Sequence, residues 1–300
     1  MPLQQLVEYF NDRLEQEHNN RLRPFLLQSG SVIGLFGSIR IGTRLLPIRE
    51  TLRTSNVTGY TAQLCVDSNP LSPAQRCDIE HLVSANPEPM EDQASIINFD
   101  RLSRTVHMLN YLPQTHLDEL LFLEVDPRHI LGVKEDHGAY FEEVIIKCGL
   151  ETDRVVIGLK IGRDYTHFYP LLLKGLQNYQ NRGYRLNLGL EYPADDKAVN
   201  DFISRVAPDF VGLSALDLDQ FRDNRKLDNL QKIGRLVNSL NGRTVLFDIE
   251  EKRNAVLARQ AGFGLVQGRY FERIAPQQDE FASLPSTAKT TDRTVRSVFL

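Results

Sequence analysis

The 300-residue chain has no tryptophan and only three cysteines and three methionines. Cys65, Cys77 and Cys148 are odd in number and lack the spacing of a metal knuckle, which excludes a disulfide scaffold and predicts a reduced, cytoplasmic protein. No apolar run reaches the roughly 18 residues that a membrane helix needs. The N-terminal MPLQQLVEYFNDRLEQEHNN carries acids and no apolar h-region, so it does not read as a secretory signal. Positive charge is not in excess: the net charge is -4, so no global field draws nucleic acid or an anionic membrane, and only a local basic patch stays open. The seven histidines include no HxxxH or HExxH pair. His129 and His137 are near enough in sequence to meet in space, with solvated or capping histidines as the ordinary reading.

What is present is a globular composition, 41% hydrophobic and 25% charged, in a chain long enough for one large core or two small ones. Leu3, Leu6, Val7, Phe10 and Leu14 recur at helical spacing and predict an amphipathic helix over 3–18. Its apolar face suits either the rest of the chain or a second copy. SVIGLFGS and TRLLPIRE predict two short strands on either side of Gly42, and NVTGYTAQLCV a third. A helix over 71–84, a Pro-rich acidic loop over 84–93 and a helix capped near Ser95 or Asn98 follow. Strands then alternate with helices: ELLFLEVDP, a helix over 137–149, RVVIGLKI, a helix over 165–181, YRLNLGL, a helix over 195–206, DFVGLSAL and a helix over 220–240. TVLFDIEEKRNAVLARQAGFGLVQGRYF closes the series as strand, acidic turn, helix, Gly-marked stop, strand and polar QG elbow. The organisation expected is an N-terminal helix over 1–24, one domain over 25–276, and a tail over 277–300 whose Ser, Thr and charge read as flexible.

Alternation of continuously apolar strands with helices predicts an α/β protein whose parallel sheet is covered on both faces. An open doubly wound sheet and a TIM-like (β/α)8 barrel both satisfy the pattern. No glycine-rich phosphate loop follows the first strand, which favours the barrel, with any site at the C-terminal strand ends.

From Glu250 to Phe271 the spacing of an acid, Gly262 and Gln267-Gly268 resembles the EAL-domain family of bacterial cyclic di-GMP phosphodiesterases, and the resemblance extends over roughly residues 40–275. It implies an EAL-type barrel and, in the family, hydrolysis with two divalent cations held by strand-end carboxylates. Carried over position by position, most of those carboxylates are missing. The signature Glu falls on Thr61, after Gly59-Tyr60, and the phosphate-contacting Arg on Cys65. The Asn-Leu-Ser-Pro strand end resembles Glu124-Val125-Asp126-Pro127, and the Glu-x-Thr-Glu end resembles Gly158-Leu159-Lys160-Ile161. The metal-holding Asp pair falls on Gly189-Leu190, and the general-base Lys with its acidic partner on Gly212 and Ser214. The Glu-Gly-Val-Glu end resembles Phe247-Asp248-Ile249-Glu250, where only Glu250 keeps its acid in register. Glu191, Asp217 and Asp248 are nearby carboxylates out of phase.

Hard cations need several carboxylate oxygens converging on one point, so the resemblance implies a barrel without its metal centre, and no catalytic residue, metal or cofactor is expected. Lys160 shares a strand face with Gly158 and is expected to stand in this vestigial pocket in place of a cation, paired with Glu124, Asp126 or Glu250; the plain alternative is an exposed lysine without a partner. Gln267-Gly268 fits a tight turn, and Arg269 a surface arginine or a contact to phosphate or protein. Asp195-Asp196 are expected to cap the next helix rather than to bind metal. The function expected is that of a catalytically inactive EAL-like domain, a protein-interaction regulator in bacterial cyclic di-GMP, motility or biofilm signalling. A non-hydrolysing cyclic di-GMP receptor is the alternative, and an active phosphodiesterase comes last. A protein partner is expected, cyclic di-GMP binding is disfavoured, a homodimer is implied by resemblance alone, and neither nucleic acid nor a membrane span is expected.

Overall fold

A computed structural model describes residues 2–18, 23–66, 82, 93–114, 118–133, 137–192, 197–221 and 225–274. The expected helix over 71–84, the acidic loop, Cys77, the Asp195-Asp196 cap and the tail fall outside the described residues, save for Leu82 and Gln93. The chain opens with α1 (Leu3–His18), β1 (Phe25–Gln28), β2 (Ser31–Phe36), β3 (Ile39–Glu50) and β4 (Val57–Val66). It continues through α2 (Gln93–Tyr111), β5 (Leu120–Glu124), α3 (Pro127–Gly132), α4 (Ala139–Cys148), β6 (Val155–Ile161), α5 (Tyr169–Asn181), β7 (Arg185–Leu190) and α6 (Lys197–Val206). It ends with β8 (Phe210–Ser214), α7 (Ala215–Gln220), α8 (Lys226–Ser239), β9 (Arg243–Phe247), α9 (Lys252–Ala261), β10 (Leu265–Val266) and α10 (Arg269–Ile274).

Strands β4 to β10 run parallel in chain order, and β3 pairs antiparallel with both β4 and β10 to close an eight-stranded mixed barrel. The barrel expected from the sequence is present, with one strand reversed. The reason is the short connection over 51–56: a loop of that length joins antiparallel neighbours, whereas parallel ones need a crossover. Gly42 does not divide two strands. It lies inside β3, a single strand of 12 residues that pairs with β2 at one end and with the barrel along the rest. β1, four residues long, is too short to show a period and is absent from the sequence reading.

Local chemistry sets the other boundaries. Asp126 caps α3 by accepting from the Arg128 backbone N–H at 2.8 Å, with Pro127 in the first turn, so the expected strand ELLFLEVDP stops at Glu124. The helix expected over 220–240 is α8, which starts at Lys226, and the expected strand DFVGLSAL stops at Ser214, which caps the short helix α7. Leu6, Val7 and Phe10 on α1 are buried against β1 and α2, so this face is covered within the chain rather than left for a second copy. Asn11 donates to the Phe25 carbonyl at 2.8 Å and accepts from its N–H at 2.9 Å, which blocks the open edge of β1.

Inside the barrel, Ile48, Leu120, Phe122, Val156, Phe210, Val245 and Leu265 form a sealed apolar plug, with the Phe122 and Phe210 ring centroids 5.0 Å apart. Above this floor, toward the C-terminal strand ends, stand Glu124, two residues beyond Phe122, and Asn187, one strand step from Phe210. Among the described residues no helix is long and apolar enough to cross a membrane.

Candidate functional site

Side chains alternate along a strand, so the positions two residues beyond the plug also point inward. Register places Glu124 beside Gly158 and Gly158 beside Asn187; one step higher it places Lys160 beside Gly189 and Gly189 beside Gly212. Ser214 and Phe247 are partners higher still. Above them opens a cavity of about 890 Å³, lined by these strand ends and by the polar face of α2.

The glycines at the mouth make room for their neighbours. A Cβ on Gly158 would lie 2.6 Å from Glu124 Oε1, and one on Gly212 would overlap the Phe247 ring. Glu124 and Phe247 thus fold across the two glycines. Gly268 has φ 156°, and a Cβ there would overlap the Ile249 backbone, so the QG elbow is a close backbone approach that only glycine fits.

Burial pushes the Glu124 carboxyl up to about 7; Lys160 offsets part of this, and Asp248 adds to it. Lys160 is half-buried in the cavity wall and acts on Glu124 and Asp248 through its charge, without an ion pair or hydrogen bond to any described residue. Its other expected partners are engaged elsewhere. Asp126 receives Arg128 Nη2 at 2.6 Å, and Glu250 receives Arg269 Nε at 2.8 Å on the surface, outside the cavity lining. Asp248, which the spacing leaves out of phase, reaches the cavity because its backbone turns left-handed at φ 59°, a conformation Asp tolerates better than most residues. Ser214 Oγ donates to Asp248 Oδ2 at 2.6 Å, and the Asp248 N–H donates to Gln267 Oε1 at 3.1 Å. Burial raises the Asp248 pKa against the effect of the Ser214 hydrogen bond.

Of the expected pocket residues, Thr61, Glu124, Asp126, Lys160, Gly189, Gly212, Phe247 and Gln267 line the cavity, Gly158 lies against Glu124, and Gly268, Glu250 and Arg269 stand outside its lining. The sequence reading missed Asn187. It is 1% exposed, it lines the cavity, and its Oδ1 has no partner, as is true of Thr61 Oγ1. Its position two residues before Gly189, between Leu186 and Leu188, was the available signal.

A second polar cluster closes the α2 side. Asp100 Oδ2 lies 2.5 Å from Arg104 Nη2 and 2.7 Å from His129 Nδ1, and Asp100 Oδ1 accepts from the Asp126 N–H at 3.1 Å. His137 Nε2 lies 2.8 Å from the Ile130 carbonyl. His129 and His137 are therefore buried and bonded, neither solvated nor capping, because the helices packed outside the barrel enclose them. Among the described residues no three His, Cys, Asp or Glu side chains converge to hold a metal ion.

No protein-family model matches the sequence, and no curated protein matches it. Solved structures do resemble the fold. Klebsiella pneumoniae BlrP1, in a complex with calcium and cyclic di-GMP, aligns at TM-score 0.59 and 17% identity over 76% of this chain and 54% of its own. Bacillus subtilis YkuI, a protein with an EAL domain in complex with its substrate cyclic di-GMP and calcium, aligns at TM-score 0.56 and 18% identity over 81% and 57%. An EAL-domain protein from Listeria monocytogenes aligns at TM-score 0.53 and 14% identity over 77% and 87%. The chain thus spans somewhat over half the length of BlrP1 and YkuI. At these identities the likeness establishes architecture, and in architecture the chain is an EAL-type barrel.

Proposed function

We propose that the chain is a non-hydrolysing EAL-type domain that regulates a protein partner in bacterial cyclic di-GMP signalling. The observation that carries this reading is the content of the mouth. Two divalent cations need converging oxygens, whereas here the Phe247 ring lies over Gly212, Glu124 over Gly158, and the Lys160 ammonium stands among the carboxyls. These residues do not fit a pair of cations. Single losses from a catalytic set lower rates by orders of magnitude, and the resemblance counts several at once. Leu216 and Phe221, exposed at either end of the mouth-side helix α7, are apolar groups of the kind a partner covers.

A second reading, a receptor that binds cyclic di-GMP without cleaving it, draws support from the size of the cavity and from the dinucleotide held by BlrP1 and YkuI. Against it, two phosphates entering this mouth meet acidic side chains and, in the described lining, one uncommitted ammonium. Titration calorimetry with cyclic di-GMP, with and without Mg2+ or Mn2+, separates the two. Absence of binding supports the regulator, micromolar or tighter binding without turnover supports the receptor, and turnover sinks both.

A further inference from the structure

We propose that the mouth cavity binds a small organic cation, a primary ammonium or guanidinium compound, seated between Glu124 and Asp248. This goes beyond the reading above and does not depend on it.

Glu124, Glu191, Asp217 and Asp248 line the cavity without an ion pair among the described residues, whereas Asp100 and Asp126 are neutralised by Arg104 and Arg128. Arg104 is committed to Asp100, so Lys160 is the one uncommitted cation in the described lining. An anion entering the cavity meets four acidic side chains that lack an ion-pair partner among the described residues, and a cation supplies one.

The geometry is that of a prepared acceptor site. Asp248 is held in a left-handed conformation by Ser214 and Gln267, a local strain that the surrounding bonds maintain. Only one of its oxygens is used by Ser214. Asn187 Oδ1, in a side chain 1% exposed, and Thr61 Oγ1 are buried without partners, which is costly unless a donor arrives. A compound with several N–H groups supplies those donors. Phe247 and Tyr165 also line the wall, and an aromatic ring there can attract a cation through its quadrupole. A bare metal ion fits less well, since no three potential ligands converge among the described residues.

The test uses the full chain with agmatine and putrescine as probes and glutarate as the anionic control, read by thermal unfolding and titration calorimetry. Agmatine should raise Tm saturably. E124Q and D248N should each weaken it by about tenfold or more, since each removes one charge-assisted contact. K160M, which removes the competing ammonium, should bind agmatine more tightly than wild type. The replacements at 124 and 248 are isosteric, and each variant's own melting curve reports that it folds. The proposal is overturned if neither amine gives a saturable shift, if both carboxamide variants bind as well as wild type, or if glutarate stabilises more than agmatine.

Discussion

Asp100 on α2 and Glu124 at the end of β5 are carboxyls on the wall of one cavity, yet the first is held ionised well below the usual range while the second is driven up to about 7. Burial acts on both in the same upward direction. The difference lies in the partners. Arg104, then His129 and the Asp126 N–H satisfy both Asp100 oxygens and reverse the effect of burial. Glu124 has only the field of Lys160, without an ion pair, and Asp248 opposes it. The Asp100 cluster, in which both carboxylate oxygens are engaged, ties α2 to the turn between β5 and α3. The unpaired one leaves its charge and its hydrogen-bonding capacity available to something from outside the chain.

The largest expected effect comes from breaking the paired side. D100A strands the Arg104 guanidinium in a buried position and removes the acceptor of the Asp126 N–H, so we expect a loss of about 3–5 kcal/mol in urea unfolding. A loss under about 1 kcal/mol would mean that the cluster is decorative.

The unpaired side shows in pH. The Glu124 pKa is raised in the fold from 4.5 to about 7, so its neutral form is favoured. Its contribution is fully present below about 4.5 and is lost as pH rises through about 7, by as much as about 3 kcal/mol. His107, buried against Thr43 and pushed down from 6.5 to about 4, works in the opposite sense: its contribution is full above 6.5 and is lost as pH falls toward about 4. Measuring wild type against E124Q between these limits isolates the glutamate. E124Q should gain relative to wild type as pH rises, and parallel curves would show that Glu124 is not perturbed.

Adding an acid at the mouth has a smaller expected effect. G212D must displace the Phe247 ring, so it should cost about 1–3 kcal/mol and bring no phosphodiesterase activity. A variant as stable as wild type would show that the mouth is loosely packed. The smallest effect belongs to the surface pair of Glu250 and Arg269: R269A should change stability by less than about 1 kcal/mol, because the arginine is exposed.

The barrel was legible because its strands read as uninterrupted apolar runs separated by helical periods, the pattern that covering a sheet on both faces requires. The reversed strand was less visible, since antiparallel pairing is set by the loop over 51–56 and not by the pattern of TRLLPIRE. At the site, Gly158, Lys160, Gly189 and Gly212 could be placed because a period of two carries one inward residue to the next. Asp248 could not, because a single left-handed residue breaks that period. Nor could the engagement of Asp126 with Arg128, which follows from a helix cap, or that of Glu250 with Arg269, which needs the chain to fold back at the QG elbow.

The most direct measurement is turnover of cyclic di-GMP by the full chain in the presence of Mg2+ or Mn2+, followed by chromatography of the linear product. The mouth described above predicts no hydrolysis above the uncatalysed background. Hydrolysis that is metal-dependent and lost in E124Q would contradict it, because it would mean that Glu124 and its neighbours assemble a metal centre despite Lys160 and Phe247.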